Sequence, residues 1–390
     1  MKRISNCGIC NSKLFESLWE LPNLPLTERF GKFNSKAKLS YDQELLMCMQ
    51  CGHVQLGYQL SPSTLYTDMN YAFRTGASKS AISGTEFFIS FLEKIAPRKH
   101  FNSLLDVGGN DLYLAKKLRD KVTERCVVDP ICSPIDGQVI DGVKVFGRMI
   151  EDVDLSVDLA RPDLVACRHT LEHVSNPANV LRQLFRECSS DCLYVFEIPC
   201  FENLSESMRF DAIFHQHYHY YDIVAFRQLI QLTGGQFISH AFNHQGSCGG
   251  AMVIAFKKAT SMVEKISLPV KQRIIDVKNR ISLYQSQMVV SASIYQTLPK
   301  PVYGYGASLM LATLGYHLKT EFSELECILD DDIQKEGVTY ENIPVVVHHP
   351  DTAQPPDNSC FLITSLENMR PIHHRIQNFK PRRILMPILS

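Results

Sequence analysis

The eight residues Leu104-Leu105-Asp106-Val107-Gly108-Gly109-Asn110-Asp111 decide the fold of this chain. An apolar run ends at two adjacent glycines, and the residues that follow, 112–119, have the apolar spacing of a helix. Glycines allow a backbone to approach a ligand closely, and the N-terminus of a helix presents free amide groups. The stretch therefore predicts a strand, a tight turn and a helix that together hold a ligand.

Strands and helices alternate on both sides of this turn. Apolar residues at helical spacing predict a helix over Ser80–Ala96, and Pro97 ends it. The predicted strands and helix that follow the turn are Arg125–Asp129, Asp163–Arg168, the helix Pro177–Cys188, and Cys192–Ile198. After a long helix at Lys271–Thr297, a second alternating series begins at Pro301. Such alternation is typical of βαβ units and predicts an α/β protein with largely parallel sheets.

Composition limits the classes of protein and partner. A length of 390 residues suits two or three domains, and the net charge of −1 argues against a broad nucleic-acid-binding surface. No apolar run reaches the length of a membrane helix, and Met1–Asn11 lacks the apolar centre of a signal peptide. We therefore predict a cytoplasmic protein with no nucleic-acid and no membrane partner; its oligomeric state, monomer or dimer, stays open.

Four of the thirteen cysteines form two CxxC pairs, Cys7 with Cys10 and Cys48 with Cys51. The two thiolates of a CxxC turn converge on one side, so two such turns complete a tetrahedral four-sulfur site for structural zinc. The residues up to about Ser61 otherwise show little apolar periodicity. We predict structural Zn²⁺ bound by these four cysteines, with no part in the chemistry; a redox dithiol is the alternative.

The charge of the glycine turn indicates which ligand it holds. Asp106 and Asp111 make the turn acidic, which repels a pyrophosphate and suits a cation. S-adenosylmethionine carries a sulfonium and an ammonium group, so it matches the turn better than a dinucleotide does. Asp129 ends the next predicted strand, where a carboxylate can accept hydrogen bonds from both ribose hydroxyls. The predicted cofactor-binding residues here are Asp106, Gly108, Gly109, Asn110 and Asp129; the alternative is an ordinary βα turn with solvated acids.

A histidine-rich segment, Phe210–Tyr221, is the second candidate site. His215, His217 and His219 alternate along it and would share one face of an extended chain. A neutral imidazole exchanges protons near pH 7, which suits a general base. From the residues alone, a metal site and histidines that merely cap a loop stay open as alternatives.

Along nearly its whole length the chain resembles the sugar C-methyltransferases of deoxysugar pathways. Pro25–Phe30 resembles the PLxNxF segment between their CxxC pairs, although glutamate replaces asparagine. Arg168–Val174 is similar to the LEH motif after their fourth strand, and Glu197–Pro199 to the EVP that ends the fifth. Phe210–Tyr221 is similar to their FDxIYHEHxxYFS segment. The resemblance implies a class I methyltransferase that methylates a carbon of a nucleoside-diphosphate 4-keto-deoxysugar.

The resemblance also implies roles for individual residues. His217 would remove a proton beside the ketone, the enolate would attack the methyl group, and His173 would orient the substrate or act as a second acid or base. Arg168 and His169 would lie with the cofactor. The implied catalytic residues are His217, His173, Gln216 and Tyr71. The implied substrate-binding residues are Phe214, His215, Ser247, Gly304, Gly306 and Ser308.

The sequence departs from the pattern of this family at several positions. Phe214 stands where tyrosine is usual and Gln216 where glutamate is usual, so one hydroxyl donor and one proton carrier are absent. Cys248 and Gly249 occupy the places around the arginine of the family's GGS(L/M)R loop. The segment Asn70–Phe73 is similar to an aromatic segment that closes over substrate, with one tyrosine reduced to phenylalanine.

A second glycine turn, Tyr303–Ser308, lies near the C-terminus and resembles the family's GYGAxxKG. Asp330–Asp332, followed by Lys335–Gly337, resembles its DDNPxKxG. The resemblance implies that the diphosphate of the substrate lodges near Gly304–Ser308. A structural Rossmann turn without a ligand is the alternative.

The sequence thus predicts an α/β chain with a small N-terminal zinc-binding domain (1–65) and a central Rossmann-like methyltransferase domain (66–258). A linking helix (259–298) leads to a C-terminal Rossmann-like domain (299–390). The predicted activity is S-adenosylmethionine-dependent C-methylation of a nucleotide-sugar. A diverged, non-catalytic nucleotide-sugar-binding protein and an NAD-dependent oxidoreductase are the alternatives.

Overall fold

The computed structural model describes residues 1–27, 30–34, 39–65, 75–77, 79–97, 99–155, 159, 161–244, 249–260 and 269–388. The chain forms two compact units and passes between them several times. Unit 1 contains Met1–Glu16, Leu46–Asn203 and Gln216–Arg273; unit 2 contains Ser17–Leu45, Leu204–His215 and Ile274–Ser390. The domain boundaries expected from the sequence stay predictions.

The strands and helices of the described residues follow in chain order. The strands are β1 (Lys2–Arg3), β2 (Phe15–Pro25), β3 (Ser40–Cys48), β4 (Val54–Leu56), β5 (Tyr58–Gln59), β6 (Phe101–Val107), β7 (Val122–Val128), β8 (Val139–Ile140), β9 (Val143–Phe146), β10 (Leu164–Arg168), β11 (Leu193–Pro199), β12 (His219–Tyr220), β13 (Gly235–Asn243), β14 (Ala251–Lys258), β15 (Val302–Tyr305), β16 (Ile328–Leu329), β17 (Val347–His348), β18 (Cys360–Ile363) and β19 (Arg383–Leu385). The helices are α1 (Pro62–Leu65), α2 (Lys79–Ile95), α3 (Tyr113–Lys117), α4 (Pro177–Glu187), α5 (Phe201–Glu206), α6 (Ile223–Leu232), α7 (Val270–Gln296), α8 (Leu311–Leu318), α9 (Pro350–Ala353) and α10 (Met369–Ile376).

The core of unit 1 is a large, mostly parallel sheet. Within the described residues its order is β13-β14-β11-β10-β6-β7-β9-β8, and the pairs from β11 through β9 are parallel. All residues of strand β6 except Asn102 are buried, as expected for a strand covered on both faces. The predicted α/β fold with a parallel, Rossmann-like sheet is confirmed.

Strand order explains where a ligand would bind in this sheet. From β6 the chain continues through β7 towards one edge, and it then returns to form β10 on the other side of β6. In open α/β sheets, ligands bind beyond the carboxyl ends of the strands at such a switch point. The glycine turn follows β6 and the LEH segment follows β10, so both lie at this point.

The N-terminal residues contain more regular structure than the sequence indicated. Strand β2 has eleven residues and β3 nine, and β3 lies between β2 and β4 in a sheet of order β12-β4-β3-β2. Pro22 and Pro25 lie within β2, where proline obscures the strand signal. Pairing between distant segments therefore orders residues whose local pattern resembles a loop.

Unit 2 contains a five-stranded parallel sheet of order β17-β16-β15-β18-β19 among its described residues. The long helix expected at Lys271–Thr297 is present as α7, which is 27 residues long. Its Tyr284 is buried and meets Trp19 edge-on, with ring centroids 5.9 Å apart. None of the helices in the described ranges is long and apolar enough to cross a membrane.

Candidate functional site

The turn after β6 is too tight for any residue other than glycine. Gly108 has φ +75°, and a Cβ atom added there would lie 1.8 Å from Oγ1 of Thr170. A Cβ atom at Gly109 would lie 2.7 Å from a methyl group of Val127. The turn therefore packs directly against the end of β7 and against the segment that follows β10.

Asp106 lies at the base of this turn, and its carboxyl group is buried. It is 2% exposed, and its Oδ2 atom has no hydrogen-bond partner in the described part of the chain. Burial raises the pKa of Asp106 to about 7, against the opposing effect of Arg168; the carboxylates of Asp129 and Asp111 also raise it. A cationic ligand would favour the ionised form of this group.

Two other acids at this turn, Asp129 and Asp111, accept hydrogen bonds from backbone amides. Asp129 accepts hydrogen bonds from the amide of Asn110 (2.8 Å) and, through its other oxygen, from the amide of Ile131 (3.0 Å). Asp111 accepts one from the amide of Gly76 (2.7 Å). Asp129 therefore fixes the glycine turn as well as standing at the predicted ribose position.

These features fit S-adenosylmethionine. An orphaned buried carboxylate oxygen on Asp106 and a turn with no room for a Cβ atom form a small acidic cradle. The cofactor's two cationic groups match that charge, and a backbone this closely packed can approach a ligand without side chains in the way. The residues suited to hold it are Asp106, Gly108, Gly109 and Asn110, with Asp129 beside them.

Arg168 and His169 surround a second buried acid, Glu197. Arg168 Nε lies 2.5 Å from Oε2 of Glu197, and its Nη1 donates to Thr85 Oγ1 at 2.7 Å. His169 Nε2 lies 3.9 Å from Oε1 of Glu197 and its Nδ1 lies 3.7 Å from Oε1 of Glu172. Glu197 thus balances the charge of Arg168. The sequence pattern did not predict this pairing.

Within unit 1, the LEH segment meets the second half of the histidine-rich segment, which begins at Gln216. The rings of His173 and His217 are edge to face, with centroids 4.8 Å apart. The Nδ1 of His173 donates to the carbonyl oxygen of Gln216 (2.9 Å), because a carbonyl oxygen can only accept. Burial, with the neighbouring His173, lowers the pKa of His217 to about 3, so its imidazole is neutral at pH 7. The neutral ring of His217 is suited to accept a proton.

Glu172 belongs to this cluster, although the sequence reasoning did not select it. Its side chain is 1% exposed, and one of its oxygens lies within 4.8 Å of ring nitrogens of His173 and His217. The fold therefore places a carboxylate beside the histidines of this segment. The only local signal was its position beside His173 in the LEH motif.

The remaining predicted site residues of this region belong to unit 2 or fall outside the described residues. Phe214 and His215 belong to unit 2. There His215 Nε2 contacts the carbonyl oxygen of Leu24 (2.9 Å), and its Nδ1 contacts the amide nitrogen of Gln43 (3.3 Å). Tyr71 and Ser247, with the neighbouring segments 66–74 and 245–248, are outside the described residues.

The second glycine turn, in unit 2, is occupied by the protein's own side chains. Gly306 has φ +99°, and a Cβ atom there would lie 2.4 Å from Cβ of Ser365. The amide of Ala307 donates to Oδ2 of Asp330 at 2.8 Å, and Lys335 Nζ lies 2.9 Å from the same oxygen. Gly304 is enclosed by apolar side chains, and Ser308 Oγ accepts from the amide of Met310. The amide of Ala307, which a bound diphosphate would need as a hydrogen-bond donor, is therefore already bonded to Asp330.

The four cysteines of the two CxxC pairs come together as a metal site. All four Sγ atoms lie within 4.8 Å of one another; those of Cys7 and Cys51, and of Cys10 and Cys48, are 3.5 Å apart. Zinc–sulfur bonds of about 2.3 Å in a tetrahedron require sulfurs about 3.8 Å apart, so the cluster fits Zn²⁺.

Histidines pack against this zinc site without belonging to the four-sulfur cluster. His53 is fully buried, and its Nε2 lies 3.0 Å from Nδ1 of His219. A Cβ atom at Gly8 would lie 2.4 Å from His219 Cε1. His219 and Tyr220 form β12, which pairs with β4 next to the second CxxC turn. The zinc site therefore supports the segment that carries His217.

Comparisons with known proteins agree with this description. A family model described as "Methyltransferase domain" matches residues 82–240, and one described as "Putative zinc binding domain" matches residues 7–66. No curated protein matches the chain.

Three solved structures with low similarity to the chain are described as methyltransferases. The N-methyltransferase NodS from Bradyrhizobium japonicum WM9, in complex with S-adenosyl-L-homocysteine, is 10% identical over 50% of this chain and 97% of its own (TM-score 0.37). The plantazolicin methyltransferase BpumL is 10% identical over 50% of this chain and 93% of its own (TM-score 0.38). An S-adenosylmethionine-dependent methyltransferase from Clostridium acetobutylicum ATCC 824 is 10% identical over 47% and 94% (TM-score 0.36).

The family models and the site geometry support the same conclusion about the class of the protein. Its central part is a methyltransferase domain that uses S-adenosylmethionine, and its N-terminal part is a zinc-binding domain. The predicted cofactors, S-adenosylmethionine and structural Zn²⁺, are confirmed.

Proposed function

We propose that this S-adenosylmethionine-dependent methyltransferase adds a methyl group to the carbon beside the ketone of a nucleoside-diphosphate 4-keto-deoxysugar. The observation that carries the proposal is the neutral, buried His217 beside His173, next to the segment on which the glycine turn packs. Thr170 fills the space at Gly108, and Glu172 and His173 follow it within three residues. A candidate base and the candidate cofactor turn therefore belong to one continuous region.

His217 is the group proposed to start the reaction. Its low pKa keeps the imidazole unprotonated at neutral pH, so its nitrogen can accept the proton of an acidic carbon–hydrogen bond. His173 is fixed as the tautomer with hydrogen on Nδ1, which leaves its Nε2 lone pair free to accept a hydrogen bond from a sugar hydroxyl. Bound S-adenosylmethionine supplies an electrophilic methyl group for the carbon that has lost its proton.

The acidic cradle and the pair of histidines, buried His217 and half-buried His173, have separate proposed roles. Asp106 is proposed to balance the charge of the cofactor, while Gly108 and Gly109 let it sit close to the backbone. The burial of His217 limits the access of water to the proton that it takes up. Because Gln216 cannot exchange a proton, its proposed contribution is the carbonyl oxygen that holds His173.

The proposal is tested by incubating the zinc-replete protein with S-adenosylmethionine and a panel of thymidine-, guanosine- and cytidine-diphosphate 4-keto-6-deoxyhexoses. We expect a product 14 mass units heavier, with the new methyl group on carbon in the NMR spectrum. A methyl group on oxygen, or no product with the whole panel despite tight S-adenosylmethionine binding, would refute the proposed reaction.

A His217→Ala variant tests the proposed base. It should lose turnover by roughly 100-fold or more, as expected for removal of a general base, while its affinity for S-adenosylmethionine is unchanged. Exposed His100, on the same unit, supplies the matched control His100→Ala. Turnover of His217→Ala at the rate of the control would show that another group is the base.

A further inference from the structure

Glu172 is a buried carboxylate with no hydrogen bond shorter than 3.5 Å to any described residue. Both of its oxygens lack a hydrogen-bond partner in the described ranges, and the side chain is 1% exposed. Leaving a buried charge without partners is expensive, and such groups persist where a counter-charge is available. The nearest candidates are imidazoles, because ring nitrogens of His173 and His217 lie within 4.8 Å and Nδ1 of His169 lies 3.7 Å away.

The charge state of Glu172 follows from these neighbours. Burial raises its pKa, but the close approach of His169 at 3.7 Å and the positive charge that His173, His217 and His169 can carry outweigh it, lowering the pKa to about 2. Glu172 is therefore ionised throughout the neutral range. The titratable groups that face it are His169, His173, His217, His219, Tyr221 and Cys167.

In the resting site the negative charge is present before the proton arrives. His217 is neutral, since burial and the adjacent His173 disfavour its protonated form. Taking a proton from carbon would place a buried imidazolium in this low-dielectric cluster, which is unfavourable unless an anion is already close. The catalytic advantage of a fixed, preorganised charge of this kind is largest where charge develops during the reaction.

We propose that Glu172 is a positioning residue that stabilises the imidazolium formed when His217 removes the substrate proton. This inference rests on the proposed function. The carbon–hydrogen bond breaks, its electron pair stays with the substrate as the enolate, and the proton moves to a ring nitrogen of His217. The enolate carbon then bonds to the methyl carbon of S-adenosylmethionine as the sulfur–methyl bond of that cofactor breaks, and the electron pair of the broken bond stays on sulfur. The proton finally leaves His217 for solvent.

A Glu172→Gln variant removes the charge and keeps the shape of the side chain. We expect its kcat to fall by roughly 100-fold, a size typical of losing one preorganised electrostatic group, while KM and the affinity for S-adenosylmethionine stay within about twofold. Solvent deuterium should enter the carbon beside the ketone correspondingly more slowly when S-adenosylmethionine is omitted. Glu172→Asp should recover part of the rate, and the exposed Glu93→Gln should behave as the wild type.

One measurement needs no sugar substrate and separates this inference from the proposed reaction. The Glu172 carboxylate helps to hold the pKa of His169 above its ordinary value, although burial opposes it. In ¹⁵N-histidine NMR titrations the midpoint of His169 should therefore fall in Glu172→Gln and not in Glu93→Gln. If this shift occurs while no keto-sugar is methylated, the proposed substrate is wrong but the ionised carboxylate stands.

Two results would overturn the role of Glu172. The first is an unchanged midpoint of His169 together with an unchanged rate of deuterium exchange in Glu172→Gln. The second is a second tightly bound metal ion in the wild type that Glu172→Gln loses, which would make this cluster a metal site instead. We expect elemental analysis to find one zinc per chain in both proteins.

Discussion

Replacing Asp106 by asparagine should have opposite effects on the stability of the free protein and on its binding of S-adenosylmethionine. In the folded protein burial raises the pKa of this carboxyl from 3.8 to about 7. Asp106 therefore ionises at a lower pH in the unfolded protein than in the folded protein. The free energy of unfolding falls as the pH rises from about 4 to about 7, and an asparagine at this position does not ionise and so avoids this loss.

The size of the stability effect follows from the shift. One pKa unit corresponds to about 1.4 kcal/mol, so the wild type loses about 4 kcal/mol at most once the pH exceeds 7. Between pH 5 and pH 8 the free energy of unfolding of Asp106→Asn should rise by about 2–3 kcal/mol relative to the wild type. Urea denaturation at both pH values measures this difference. The matched control is Asp120→Asn, which removes an exposed carboxylate.

Binding should show the reverse. At pH 6 about one-tenth of the Asp106 side chains are ionised, so S-adenosylmethionine should bind roughly tenfold more weakly than at pH 8. Asp106→Asn should lose this pH dependence and bind about 10- to 100-fold more weakly at pH 8, the loss expected for one charged contact. Calorimetric titration provides both values. Equal affinities at the two pH values in the wild type, or unchanged affinity in the variant, would refute the role of Asp106.

Three further predictions concern the turn and the zinc site. Gly108→Ala should abolish S-adenosylmethionine binding in calorimetry, because its Cβ atom would overlap Thr170 and the residue has positive φ; normal affinity would contradict the tight packing. Cys10→Ser should lower the zinc content from one ion per chain and lower the melting temperature by several degrees; full zinc content in the variant would disprove the four-sulfur site. Gly8→Ala should displace His219, because the ring of His219 lies against Gly8, and its kcat should fall by a larger fraction than its zinc content. Equal fractional losses would show that the substitution acts only through the loss of zinc.

Local patterns in the sequence were enough to predict several parts of the protein. The apolar run with its glycine turn at 104–111 predicted β6 and the turn, and the alternation of elements predicted a parallel α/β sheet. The two CxxC pairs predicted the four-sulfur cluster. In each case neighbouring residues carry the signal, because backbone conformation and thiolate convergence depend on spacing along the chain.

Tertiary structure alone decided which charged groups face one another. Glu172 lies 45 positions before His217, and only the packing of the LEH segment against the histidine-rich segment brings them together. Similarly, the pairing of Arg168 with Glu197 and the capture of the Ala307 amide by Asp330 could not be read from spacing. The pKa of a buried group depends on desolvation and on neighbours from distant parts of the chain, so the sequence could indicate candidate acids and bases while the fold determined their charge.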